Sequence, residues 1–267
     1  MTDPKWKKSI AITGAGSGFG KALALRYAAV GWNVAVTDVD EQRARRALAA
    51  IEHFDGRHFY MQLDITQADH WQQLQDTVEQ QWGGLEVLVN NAGVASAGNV
   101  EETSMEDWRW VLDIDLMGVV RGCHQFAGMM KRQQAGHIVN VSSFAGLAGL
   151  PFIASYGVAK AGVVALSEAL RLEMQPHGVG VTVACPAFVK TGLMDSFRST
   201  KPATRAKVTK WMETSGVSAE QVAEAIAEAV SRNTFLLLTH PQTRAAWRWK
   251  RWFPERYYKM LAKRTAG

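Results

Sequence analysis

Short apolar, β-branched runs alternate along the chain with longer segments whose apolar residues recur at helical spacing. This pattern predicts strands at 10–13, 34–37, 58–62, 87–90, 137–141, 181–185 and 235–238. It predicts helices at 19–30, 41–51, 67–81, 105–130, 156–175 and 219–230. Most strand runs are apolar nearly throughout, as strands covered on both faces are. Regular β–α alternation of this kind predicts a parallel α/β sheet with right-handed crossovers. Only the stretch 187–217 lacks clean periodicity. It is long for a connection, and such connections are usually functional loops or lids.

Composition narrows the class. A chain of 267 residues suits a single α/β domain, and 47% hydrophobic against 21% charged residues excludes a disordered chain. Two cysteines, Cys123 and Cys185, exclude a disulfide-stapled scaffold and point to a reducing, cytoplasmic compartment. No apolar run reaches the ~18 residues of a membrane-spanning helix. Residues 1–9 carry lysines but no apolar core of a signal peptide. The net charge of +5 is uneven: residues 240–267 hold eight basic groups against one acid, and the rest holds 22 against 24. The basic character belongs to the tail, which disfavours a nucleic-acid-binding body. The reading is therefore one domain, 1–240, with a basic, aromatic extension at 241–267.

The first predicted strand runs into Thr-Gly-Ala-Gly-Ser-Gly-Phe-Gly at 13–20. The dinucleotide pattern GxGxxG does not fit; Gly14, Gly18 and Gly20 fit TGxxxGxG, with Ser17 and Phe19 between them. Glycines let backbone approach a pyrophosphate, and the following helix points its N–H groups at the anion. Taken alone, the loop is also an ordinary tight turn. Asp38 ends the second strand, twenty residues after Gly18. A carboxylate there accepts both adenosine ribose hydroxyls and repels a 2′-phosphate, and no Arg or Lys lies beside it in sequence. NAD is thus expected over NADP. Asp38 also suits a helix N-cap, but Asp40 fills that place equally well.

The fifth strand ends at Ser142 and Ser143, and thirteen residues past Ser143 comes Tyr156, followed by Lys160 at i+4 on the same helix face. A phenol is a poor base near neutrality, with a pKa of about 10. A neighbouring ammonium favours the phenolate. Tyr156 then exchanges a proton with a substrate oxygen while Ser143 donates a hydrogen bond to it. YxxxK alone arises by chance in many helices; the ordered set of glycine loop, acid, serine and Tyr–Lys carries the reading.

On these motifs the chain resembles the short-chain dehydrogenase/reductase family over about residues 9–240. The resemblance implies a Rossmann-type, doubly wound sheet of about seven strands in the order 3-2-1-4-5-6-7. It implies that Asp64 and Ile65 flank the adenine and that Asn91, Ala92 and Gly93 approach the adenosine ribose. It further implies that Pro186, Val189 and Thr191 contact the nicotinamide, that Lys160 holds its ribose, and that the chain forms a homodimer or homotetramer. Two positions depart from the family. Asp115 stands where the family has an asparagine that helps hold a water linked to the lysine, largely through its backbone carbonyl; Asp115 either keeps that carbonyl role or pairs its carboxylate with Lys160 and weakens the lysine's pull on the tyrosine. Ala187 replaces a glycine.

Phe188, Leu193, Met194, Phe197, Trp211 and Met212, with Leu147, Leu150 and Phe152, are the expected pocket lining. Such a lining suits a lipophilic secondary alcohol or ketone. In the tail, Trp249, Trp252 and Phe253 fit one helix and Pro254 starts another. Its interleaved aromatic and basic residues at 244–264 suit peripheral contact with an anionic membrane, a lid over the pocket or a subunit contact. A non-catalytic NAD-binding scaffold is the alternative function; no metal and no nucleic-acid partner is expected.

Overall fold

The computed structural model describes residues 6–199, 201–214 and 216–265. Seven parallel strands form the central sheet: β1 (Ser9–Thr13), β2 (Asn33–Asp38), β3 (Phe59–Gln62), β4 (Val87–Asn90), β6 (Gly136–Val141), β7 (Val179–Ala184) and β9 (Leu236–Leu237). A separate two-stranded piece pairs β5 (Ser96–Ala97) with β8 (Arg198–Ser199). The order in the large sheet is β3-β2-β1-β4-β6-β7-β9. Without the two short strands this is the predicted 3-2-1-4-5-6-7.

Period-two alternation explains the two cores. Ile10, Ile12, Val34, Val36, Val87 and Val89 face one side and pack with α1 (Gly18–Ala28), α2 (Glu41–Ala49) and α9 (Ala219–Ser231). Ala11, Ala35, Leu88 and Ile138 face the other side. There they meet α3 (Ala68–Trp82), α5 (Gly118–Gln133) and α7 (Ala154–Met174), with Trp71, Trp82 and Phe126 fully buried. This second core contains a buried polar chain. The Asn90 Nδ2 donates to Asn140 Oδ1 at 2.9 Å, and Asn140 Nδ2 donates to Ser167 Oγ at 3.0 Å. It joins β4, β6 and α7, and so fixes α7 against the sheet that it must face.

One predicted helix is divided, the aperiodic stretch proves structured, and the tail folds as two helices with the expected break. The helix expected at 105–130 is α4 (Met105–Leu112) and α5, with one π-helical turn between them at Asp113–Met117. The aperiodic stretch 187–217 contains a 3-10 turn (Gly192–Asp195), β8 and α8 (Pro202–Glu213). The tail forms α10 (Pro241–Trp252) and α11 (Pro254–Thr265), with the break at Pro254. Among the described residues no helix is long and apolar enough to cross a membrane.

Candidate active site

The carboxyl ends of the parallel strands open onto one cavity of about 740 Å³. Its floor is the glycine loop after β1, tied down from two sides. Ala15 N–H donates to Thr37 O at 2.8 Å, and Asn91 Nδ2 donates to Thr13 O at 2.8 Å. Two glycines leave no room for a Cβ, Gly16 against side chains and Gly20 against backbone. A Cβ at Gly16 would lie 2.7 Å from Asp38 Oδ2, and one at Gly20 would lie 2.9 Å from Ala15 Cα. Gly16, which the TGxxxGxG spacing passes over, is thus as constrained as the motif glycines.

Asp38 is buried at the end of β2 and lines the cavity. Its Oδ2 accepts Gly16 N–H and its Oδ1 accepts Asp40 N–H, each at 3.0 Å. The carboxylate is therefore fixed in place. Asp40, not Asp38, caps α2 by accepting Arg43 N–H. Sequence adjacency showed no cation here, yet the first turn of α2 brings Arg43 to the same wall of the cavity. Its guanidinium faces Asp40 at 3.4 Å and Asp195 at 3.5 Å. The segment 191–195 reaches across the glycine loop, with Thr191 packed on Gly18 and Gly192 on Ser17.

The other end of the cavity holds the Tyr–Lys pair. Both project from α7, with the Lys160 Nζ 5.7 Å from the Tyr156 ring centre. Lys160 is buried, donates to Val141 O at 3.2 Å and faces Asp115 Oδ2 at 3.3 Å. Asp115 rides on the π-helical turn, and its Oδ1 accepts Val94 N–H at 2.7 Å. Such turns inside helices recur at functional sites. Here the extra residue directs a carboxylate inward. Burial would lower the Lys160 pKa, but the charge of Asp115, and then Tyr156, outweigh it and hold the ammonium. Burial pushes the Asp115 carboxyl up, against the pull of Lys160 and the Val94 N–H.

The Tyr156 phenol is also raised, chiefly by burial; Lys160 opposes the rise and Asp115 adds to it. Ser143 hydrogen-bonds the phenol and favours its ionised form. Its own Oγ is oriented by Ala145 N–H at 3.1 Å and by Pro186 O at 3.4 Å. The downward pull expected from the ammonium is therefore present but is exceeded by burial. Cys185 lies close enough to both groups to affect them, but burial pushes its thiol up to about 12, so it is neutral near pH 7.

Gly14, Ser17, Gly18, Phe19, Asp38, Asp64, Ile65, Asn91, Ala92 and Gly93 all line this one cavity. So do Asp115, Ser143, Tyr156, Lys160, Pro186, Val189 and Thr191. Gly20 does not; it packs behind the loop. Of the expected pocket residues, Phe188, Leu193, Phe197, Trp211, Met212, Leu150 and Phe152 line it, whereas Met194 packs in the apolar cluster beside the cavity and Leu147 in the second core. The lining also takes in residues that no motif singled out, among them Arg43, Glu102, Lys201 and Val208, and Leu261 reaches it from α11. Phe152 adopts φ +67°, a conformation rarely taken by bulky residues, and is 45% exposed at the rim. His240, buried behind the cavity, accepts Ala187 N–H on Nδ1 at 3.4 Å and steadies the segment carrying Pro186.

The short chain dehydrogenase family model matches residues 8–202. The chain belongs to this family. A short-chain dehydrogenase/reductase from Burkholderia phymatum, solved in complex with NAD, superposes with a TM-score of 0.87 at 33% identity, covering 92% of this chain and 94% of that one. The 3beta-hydroxysteroid dehydrogenase 1 of Eggerthella lenta is 33% identical over 230 residues, 85% of this chain and 88% of that protein. The probable oxidoreductase EphD of Mycobacterium tuberculosis is 31% identical over 255 residues; the match takes in 92% of this chain and 43% of that longer protein. The chain spans less than half the length of that relative, and it is built on the Rossmann-type sheet that its motifs imply.

Proposed function

We propose that this short-chain dehydrogenase interconverts a secondary alcohol and a ketone on an apolar skeleton, using NAD. The carrying observation is that one cavity holds a fixed carboxylate, Asp38, at one end and Ser143, Tyr156 and Lys160 at the other. The residues fit a nicotinamide dinucleotide. Glycines leave the loop before α1 free of side chains where the helix N-terminus faces the cavity. Asp38 is placed to accept ribose hydroxyls, and Lys160 to hold the second ribose.

The bound nicotinamide supplies or accepts the hydride. The chain's own task is to place the substrate oxygen and move its proton. Ser143 and the Tyr156 hydroxyl donate to that oxygen. In reduction, the Tyr156 Oη–H proton passes to the oxygen as the hydride reaches carbon; in oxidation the phenolate takes the proton back. Because the Tyr156 pKa is raised, the phenol is protonated near pH 7, as reduction requires. Oxidation needs the phenolate and is expected to gain rate as pH rises. The substrate end is lined by Phe188, Leu193, Phe197, Val208, Trp211 and Met212, which favours lipophilic skeletons.

Titration with NADH and NADPH, followed by alcohols and ketones of graded polarity, tests both parts. NADH is expected to bind at least about tenfold more tightly, since a 2′-phosphate would face the fixed Asp38 carboxylate. Asp38→Ala is expected to weaken NADH by about tenfold or more, the loss of hydrogen bonds to a charged group. It is expected to spare NADPH, because Arg43 stays in place. Tighter NADPH binding by the natural chain refutes the ribose placement. Higher kcat/KM on small polar ketones than on every lipophilic one refutes the substrate class.

A further inference from the structure

The two C-terminal helices carry the positive charge of the molecule on their outer faces. On α10, Arg244, Arg248 and Arg251 recur at i, i+4 and i+7 with Trp252 on their flank. The buried or half-buried Thr243, Ala246, Trp247 and Lys250 lie on the opposite side. On α11, Arg256, Lys259 and Lys263 form a second exposed stripe, away from Tyr258 and Leu261. Among the described residues, none of these six cations meets a carboxylate within salt-bridge distance. Beside them Trp252 is 74% exposed and Phe253 is 52% exposed.

The inner faces of the same helices rest on the rim of the cavity. Lys250 Nζ donates to Leu147 O at 2.6 Å, and the Tyr258 hydroxyl lies against Gly149. Leu261 lines the cavity itself, close in the structure to the segment that carries Leu150 and the half-exposed Phe152.

We propose that the outer face of α10 and α11 docks on an anionic phospholipid bilayer, and that docking sets the mouth of the substrate cavity at the lipid surface. Charge complementarity selects this occupant. Cations that meet no carboxylate among the described residues, with Arg251 over the Trp247 ring and Arg256 over the Phe253 ring, match a surface that is negative at the headgroups and apolar beneath. The remainder of the chain, with 22 basic and 24 acidic groups, is close to neutral overall, so net attraction favours a tail-first approach. It also offers a second copy of the chain little net negative charge to attract the stripes. The delivery half of the proposal rests on the lipophilic-substrate reading; the docking half does not.

Flotation of the full chain with vesicles of phosphatidylcholine alone, or with about 30% phosphatidylserine, tests docking directly. Flotation is expected with anionic vesicles only, and it is expected to be lost at about 0.5 M salt, where exposed charges are screened. Arg248→Glu with Arg251→Glu is expected to lower the partition coefficient more than about tenfold, and Trp252→Ser with Phe253→Ser to lower it further at equal charge. All four side chains are exposed and outside the cavity, so NADH binding and turnover of a dispersed substrate serve as folding controls.

Absence of flotation with anionic vesicles overturns docking, as does equal flotation of natural and variant chains. A tail-dependent dimer by light scattering, without flotation, assigns the surface to a second copy and overturns it too. Delivery is read separately. With a lipophilic ketone held in anionic vesicles, the charge-reversed chain is expected to turn over more slowly, at an unchanged rate on the same ketone in detergent. Equal rates in vesicles refute delivery. If flotation holds while every lipophilic ketone fails, the substrate reading falls and docking stands.

Discussion

Tyr156→Phe is expected to lower kcat/KM by about a thousandfold in either direction, within the range for loss of a general acid–base. The ring stays. It packs against Ala95, Phe197 and their neighbours in the apolar cluster beside the cavity, so the substitution leaves the wall intact. What disappears is the hydroxyl proposed to hand a proton to the substrate oxygen, the one that Ser143 hydrogen-bonds and the Lys160 charge acts on. NADH affinity, read by fluorescence titration, is expected to stay within about threefold, since no ribose or phosphate contact is assigned to the hydroxyl. A rate within a factor of about ten of the natural chain would place the proton transfer elsewhere. Tight NADH binding by the natural chain with no turnover on any substrate would instead favour the non-catalytic scaffold.

The parts legible in the sequence are those encoded by short-range pattern. Ile10, Ala11 and Ile12 announce a strand because both of its faces are covered, and the two cores then divide them by parity. The glycine loop and Tyr156–Lys160 stand out because backbone approach and helix pitch constrain nearby residues. Contacts made by long-range folding were not legible. Arg43 joins the cavity wall beside Asp38 through the direction of α2, and the tail's fold onto the rim, which brings in Leu261, was legible only as one of three alternatives. The helix α8 was hidden because its periodicity is weak: its cavity-facing residues, Val208, Trp211 and Met212, are few and pack on the small apolar cluster beside the cavity rather than on either main core. The π-helical turn was invisible because one extra residue per turn leaves composition unchanged; its consequence is that Asp115 faces inward.

Asp115→Ala is expected to destabilise the chain by about 3–5 kcal/mol, the cost of leaving a buried charge without its partner. Lys160 is enclosed, and Asp115 is the only carboxylate facing its ammonium within 4 Å among the described residues. The Val94 N–H would lose its acceptor as well. Asp115→Asn is the informative variant. Its amide oxygen still accepts Val94 N–H, and asparagine is the residue the family resemblance puts there, so folding is expected to survive. The charge is removed, and the amide nitrogen that replaces Oδ2 faces Lys160 as a donor, so part of the stability loss of the alanine variant is expected here too.

In the natural chain the Asp115–Lys160–Tyr156 group is neutral overall, and losing a proton leaves a buried negative charge. In the asparagine variant the group starts at +1, and the same loss leaves it neutral. The first deprotonation of the coupled pair must therefore fall, whichever of Tyr156 and Lys160 gives up the proton. The rising limb of kcat/KM for alcohol oxidation is expected to move about one pH unit lower, in keeping with one charge removed at short range. The direction matches the upward push of Asp115 on the Tyr156 phenol. A limb that stays put while thermal stability drops would mean that Asp115 only props the lysine. A limb that moves down, whatever the loss of stability, assigns it the electrostatic part: holding the ammonium at the expense of an easily formed phenolate.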